Sequence, residues 1–398
     1  MTTPLTLRDC GIVAPLGRGK AAVARALFEG RRDALVIDET LIPDRPVYVG
    51  AVTGELPALP DSLAQFDSRN NRLMLAALIE IRETIEQAIE RYGRDRVAVI
   101  LGTSTSGIGD GEEALATYRR TGAWPNRFHY HQQETSSLSE FAARWLNVTG
   151  PAYTVATACS SSAKVFTSAR RLINAGLADA AVVGGADTLC RMTLNGFNAL
   201  EALSKGLCNP FSVRRDGINI GEGASAFLID REPGAIQLLG AGETSDAHHP
   251  TAPDPQGKGA QAAMRQALAD ASLSPSDIAY VNLHGTATPL NDAMEGAAVH
   301  QVFGPRVACS STKAMTGHML GATGGCEAAF LWLTLNPAIN PAGLLPPHLW
   351  DGEADPAIPR LNLIDVGTRM PNSDQVAMLS NTFGFGGSNA ALVIGRAV

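Results

Sequence analysis

The stretch Tyr153-Thr-Val-Ala-Thr-Ala-Cys159-Ser-Ser-Ser162 decides how the chain folds. Its first residues form a short apolar run rich in strand formers, and small residues follow. This pattern predicts a strand over 153–157, a sharp turn, and a helix continuing to 176. Cys159 would then stand at a helix N-terminus, where the partial positive charge lowers a thiol's pKa and favours the thiolate. The plainer alternative is a buried, inert cysteine.

Similar short apolar runs lie on either side, at 97–101, 180–183 and 225–229. Each is bounded by Gly, Pro or charge, as strands buried on both faces are. The second half repeats the order, with runs at 278–283, 307–311, 376–379 and 390–394. The expectation is an α/β fold made of one duplicated unit, with halves 1–240 and 241–398. Apolar residues at near-helical spacing predict one helix over 72–92, and the Pro-rich stretch 337–347 reads as a surface loop.

The chain has 398 residues, 45% hydrophobic and 18% charged, which suits a globular core and excludes disorder as the main state. A net charge of −7 argues against a general nucleic-acid binder. The longest apolar stretch, 328–335, is too short to span a bilayer, and Arg8 and Asp9 interrupt any secretory signal. A cytoplasmic protein is expected. Its six cysteines include no Cys-x-x-Cys pair, so neither a zinc module nor a disulfide framework is read. The pairs His248-His249 and His129-x-His131 lack further ligands at a useful spacing, so no metal is expected. Gly221-Glu-Gly223 is too short for a dinucleotide fingerprint, and Walker spacing is absent.

Several residues could carry chemistry beside Cys159. His284 follows a strand in His284-Gly-Thr-Ala-Thr288, where the hydroxyls of Thr286 and Thr288 can point the same way. His318 lies in the Gly-rich run Lys313-Ala-Met-Thr-Gly-His318. Lys313 could favour an anion or hold a neutral imidazole, and Glu295 is its expected counter-ion. The run Asn381-Thr-Phe-Gly-Phe-Gly-Gly-Ser-Asn389 could donate backbone N–H groups to an oxyanion, or form a plain hairpin.

Together these segments resemble the β-ketoacyl-acyl-carrier-protein synthases of the thiolase superfamily, of the elongating Cys-His-His type. The matching stretches are Thr157-Ala-Cys159-Ser-Ser, Val183-Gly-Gly-Ala-Asp187, Arg215-Asp-Gly217, Gly221-Glu-Gly-Ala224, the His284 turn with Asp292 and Glu295, 313–321 and 381–389. Three features depart from the family's pattern: an N-terminal strand, Leu5 to Val13, that diverges from the usual Thr-Gly-x-Gly opening, Pro210-Phe-Ser212 where an Asp is usual, and Asp216-Gly-Ile218 where a Phe is usual.

The resemblance implies a five-layered αβαβα fold. It implies decarboxylative condensation of an acyl thioester on Cys159 with malonyl-acyl-carrier-protein, in fatty-acid, polyketide or aryl-polyene type elongation. His284 and His318 would donate from Nε2–H to the enolate oxygen, with Lys313–Glu295 tuning them. The N–H groups of Cys159 and Phe385 would form an oxyanion hole. Thr286 and Thr288 would hold the phosphopantetheine arm, and Phe385, beside Gly386, would act as a gate. No resident cofactor is implied, because the acyl carrier protein delivers the pantetheine. A homodimer is expected, with a heterodimer possible. The helix after Cys159 and the strand at 180–183 are its expected interface, and Arg69, Arg72 and Lys205 the carrier-docking patch. The alternative function is a non-catalytic chain-length-factor-like partner, which the presence of Cys159 disfavours.

Overall fold

The computed structural model describes residues 4–396. Ten strands form its frame: β1 (Leu5–Ala14), β2 (Val97–Gly102), β3 (Ala152–Val155), β4 (Ala180–Asp187), β5 (Gly223–Asp230), β6 (Ile236–Ser245), β7 (Ile278–Asn282), β8 (Ala308–Ser310), β9 (Val376–Gly384) and β10 (Ser388–Arg396). In the first half the order across the sheet is β3-β2-β4-β5-β1, and in the second it is β8-β7-β9-β10-β6. The senses repeat too. β2 is parallel to β3 and β4, as β7 is to β8 and β9, and the other two pairings in each half are antiparallel. The duplication read from element order is therefore present in the topology. The expected boundary at 240 falls inside β6, the strand that opens the second repeat.

The strands form one continuous sheet, whose two halves join where β1 pairs with β6 at Leu5↔Leu238 and Thr6↔Gln237. Side-chain alternation feeds separate cores. Along β2, Ala98 and Ile100 point into a central core, whereas Val97, Val99 and Leu101 point outward. The central core takes in α1 (Ser161–Asn174) and α2 (Thr323–Leu335), with the helix over Lys20–Glu29 packed into it as well. Helices over Arg69–Glu80 and Ser137–Leu146 cover the outer face of the first half-sheet, and helices over Lys258–Ala271 and Pro289–Phe303 that of the second. This makes five layers, a thiolase-like αβαβα fold.

Where α1 and α2 begin, only small residues fit. A Cβ on Gly324 would lie 2.9 Å from the Ala163 nitrogen, and one on Gly102 would lie 2.5 Å from the Ser162 nitrogen. These glycines allow the Cys159 turn of one half and the His318 loop of the other to meet.

Some local expectations change. The helix expected over 72–92 is two helices, Arg69–Glu80 and Arg82–Tyr92, because Ile81 leaves helical geometry (φ −116°, ψ 16°). The stretch 337–347 starts at the surface, but Leu345, Pro346 and Pro347 are buried. The strand Ala180–Asp187 lies in the sheet interior with every residue buried, so it cannot be the expected dimer interface. β3 is instead an edge strand, paired among the described residues only with β2, and Tyr153 on it is 39% exposed. Among the described residues no helix is long and apolar enough to cross a membrane.

Candidate active site

Cys159 lies between the end of β3 and Ser160, which caps α1. Ala158 before it takes φ +52°, a left-handed conformation costly for a residue with a Cβ. The turn is held by the Thr157 N–H donating to Ser161 Oγ at 2.9 Å and by Ser161 Oγ–H donating to the Ala158 carbonyl at 2.6 Å. The other two candidate turns carry the same strain. Ala287 (φ +64°) follows His284, and Leu320 (φ +49°) follows His318. Non-glycine residues in this region mark places where surrounding structure overrides local preference.

The fold brings Cys159, His284 and His318 together. Cys159 Sγ lies 2.9 Å from His318 Nε2, and the two imidazole rings stand edge to face with centroids 5.2 Å apart. The ligating atoms of all three lie within 4.8 Å of one another, a grouping invisible in their sequence spacing. They line a cavity of about 260 Å³ with Thr286, Thr288, Phe383, Phe385 and Gly386. The Thr286 and Thr288 hydroxyls are 3.0 Å apart. Phe385 is 38% exposed and packs against Phe197 with ring centroids 5.4 Å apart. Gly386 lines the cavity, but its N–H is already donated to the Pro250 carbonyl at 2.7 Å.

Burial dominates the electrostatics. It pushes the Cys159 thiol up to about 11, against the pull of Lys313 and the Phe385 N–H. The helix-terminus expectation of a lowered thiol pKa therefore fails, because loss of water outweighs the partial charge. Burial, and then Lys313, hold both histidines well below their ordinary range, so they are neutral near pH 7. A neutral imidazole facing a protonated thiol is the resting state.

The expected pair Lys313–Glu295 is not formed. Lys313 Nζ lies 2.6 Å from Glu327 Oε1 on α2, with both side chains almost fully buried. Glu295 instead accepts the backbone N–H groups of His284 and Gly285, both at 2.7 Å, and so fixes the turn that presents His284. Burial raises the Glu295 carboxyl to about 7 despite those two bonds. Glu327 carried a readable signal, as the lone charged residue in the otherwise apolar helix Thr-Gly-Gly-Cys-Glu-Ala-Ala-Phe-Leu-Trp-Leu-Thr-Leu. Asp187 is a further working residue, one whose place at the end of an apolar strand does not single it out in the sequence. It accepts from Thr103 Oγ1 (2.6 Å), from the Ser104 and Thr105 N–H groups (2.8 and 2.9 Å) and from the Gly321 N–H, which ties the first half to the His318 loop.

The expected docking patch also rearranges. Arg69 forms an ion pair with the buried Glu222, and Arg72 pairs with Asp67 at 2.6 Å. Both line a pocket that shares no residue with the Cys159 cavity. Lys205 lies just beyond Leu200, Glu201 and Ala202, which do line it.

A thiol on a strand-to-helix turn, faced by two neutral histidines from the other repeat, is a Cys-His-His centre on a thiolase-like fold. The chain belongs to the β-ketoacyl synthase family: residues 10–235 match the family's N-terminal domain and 236–345 its C-terminal domain. It is 31% identical to 3-oxoacyl-[acyl-carrier-protein] synthase 2 of Staphylococcus aureus, over 98% of this chain and 97% of that one. Identity to the protein of the same name in Synechocystis is 30%, over 96% of this chain and 95% of that one. Among solved structures, a chain from the complex of the ketosynthase ApeO with its chain length factor ApeC, from Xenorhabdus doucetiae, is 45% identical. It superposes with a TM-score of 0.93, covering 99% of this chain and 98% of that one. A β-ketoacyl synthase from Burkholderia phymatum is 26% identical with a TM-score of 0.87, and each chain is covered in full.

The Lys313–Glu327 pair gives a stability test. Glu327→Gln leaves a buried ammonium without its counter-charge and should cost about 3–5 kcal/mol. Adding Lys313→Met should recover most of that in denaturant unfolding. No recovery in the double variant would show that the pair does not act as a unit.

Proposed function

We propose that this chain joins carbon to carbon by decarboxylative Claisen condensation, taking an acyl thioester and malonyl-acyl-carrier-protein to a β-ketoacyl-acyl-carrier-protein. The observation that carries this reading is the 2.9 Å approach of His318 Nε2 to Cys159 Sγ, with His284 beside them in one cavity. Cys159 attacks the acyl thioester and releases the carrier thiol. Malonyl carrier then loses CO2, and the charge developing on its thioester oxygen accepts hydrogen bonds from His284 and His318. The carbanion attacks the Cys159 thioester, whose oxyanion lies between the N–H groups of Cys159 and Phe385. Thr286 and Thr288 hold the pantetheine arm, and Phe385 acts as the gate. Glu295 serves by fixing the His284 turn, while Lys313, paired with Glu327, keeps the histidines neutral. We assign the nucleophile to the first half, 1–240, and both histidines to the second, 241–398. Cys159 with both histidines around it supports a catalytic role over the chain-length-factor-like alternative. The free state of all six cysteines supports a reducing, cytoplasmic compartment.

We further infer that the chain works as a pair, through the open edge of β3. The likeness to a ketosynthase–chain length factor complex supports a homologous chain-length-factor-like partner. An unpaired strand edge is a ready template for another chain.

Three experiments test these readings. Cys159→Ala should abolish the acyl adduct seen by intact mass, and His318→Ala should remove malonyl decarboxylation. A full adduct in the Cys159 variant would overturn the nucleophile. Tyr153→Lys should convert the pair to monomer by light scattering, and an unchanged pair would place the interface elsewhere.

A further inference from the structure

A neutral imidazole carries one N–H, on either Nδ1 or Nε2. His318 is 2% exposed and kept neutral by burial and Lys313, so its partners decide which nitrogen holds the proton. Its Nε2 faces Cys159 Sγ at 2.9 Å. Its Nδ1 faces Thr323 Oγ1, also at 2.9 Å, and Thr323, the first residue of α2, is 1% exposed.

The two half-reactions under "Proposed function" ask opposite things of Nε2. In acylation the Cys159 S–H proton must leave as the Sγ–acyl bond forms. It needs a lone pair on Nε2, and the same proton then passes to the departing carrier thiolate as the carrier's C–S bond breaks. In decarboxylation the malonyl C–CO2 bond breaks and its electron pair moves onto the thioester oxygen. That oxygen needs a hydrogen on Nε2.

A backbone N–H at Nδ1 would support only the second state, and a carbonyl only the first. A hydroxyl donates or accepts by rotating, so it can support both. We propose that Thr323 is a positioning residue whose hydroxyl lets His318 exchange tautomers between acylation and decarboxylation. When Nδ1 carries the proton, Thr323 Oγ1 accepts it in a hydrogen bond and Nε2 is free to take the thiol proton. When Thr323 donates to Nδ1, Nε2–H faces the enolate oxygen. The inference rests on the roles proposed for Cys159 as nucleophile and His318 as donor to the enolate oxygen, and adds to them that His318 Nε2, 2.9 Å from Sγ, takes the thiol proton.

Removing the hydroxyl has a direction. An orphaned N–H is tolerated in protein interiors less often than an orphaned acceptor. With Val at 323 the ring should therefore settle with its proton on Nε2, which cannot take up the thiol proton. The test measures both half-reactions separately: the rate of Cys159 acylation by intact mass, and CO2 release from malonyl carrier. Thr323→Val should slow acylation on the order of 10-fold or more while decarboxylation changes by less than about 3-fold. Thr323→Ser, which keeps the hydroxyl, should restore acylation, and Thr323→Ala serves as a second hydroxyl-free variant should Val disturb the fold. Equal losses in both half-reactions, no loss in either, or failure of Ser to restore acylation would each overturn the inference. A wild-type chain that forms no Cys159 adduct would instead overturn the assignment of the nucleophile, so the two failures are distinct.

Discussion

The contact between Cys159 and His318 is the constraint around which the molecule is arranged. It joins a turn of the first repeat to a loop of the second, and neither repeat alone contains both groups. The half-sheets must join at β1 and β6, α1 and α2 must lie side by side, and Gly102 and Gly324 must lack side chains for that contact to form. Backbone strain at Ala158, Ala287 and Leu320 shows the same pressure locally. Each lies within three residues of one of the three groups, held in a conformation its own side chain disfavours.

Burial sets the chemistry of the contact. In water a cysteine at a helix N-terminus would drift toward thiolate, but here desolvation wins and the thiol stays protonated. The same desolvation, with the Lys313 charge, strips the histidines of their second proton. The resting centre is thus a neutral pair, ready to move a proton when an acyl thioester arrives. Lys313 can exert its influence because Glu327 lies against it within the core, where an unpaired ammonium would be too costly to keep.

The frame was largely legible because strands buried on both faces write themselves as short apolar runs, and duplication repeats their order. Cys159, His284 and His318 were legible as turn residues after strands and through the family resemblance. What escaped depends on tertiary packing. Lys313 has Glu295 and Glu327 at comparable sequence distances, and only the placement of α2 decides between them. The break at Ile81 leaves no proline or glycine in the sequence to announce it. Arg69 reads as a surface charge until Glu222 is seen buried beneath it. The strand Ala180–Asp187 offers a run of the same kind as an edge strand, and only its neighbours show it to be interior.

The central claim is that Cys159 and His318 rest as a neutral thiol and imidazole. The most direct measurement is the ultraviolet thiolate absorbance of the intact protein across pH, taken as the difference between the wild type and Cys159→Ala. The account predicts no Cys159 thiolate signal at pH 7 and its appearance only toward pH about 11. A full thiolate signal at pH 7, lost on acidification as the thiolate takes a proton while the imidazolium keeps its charge, would reveal a preformed ion pair and contradict it.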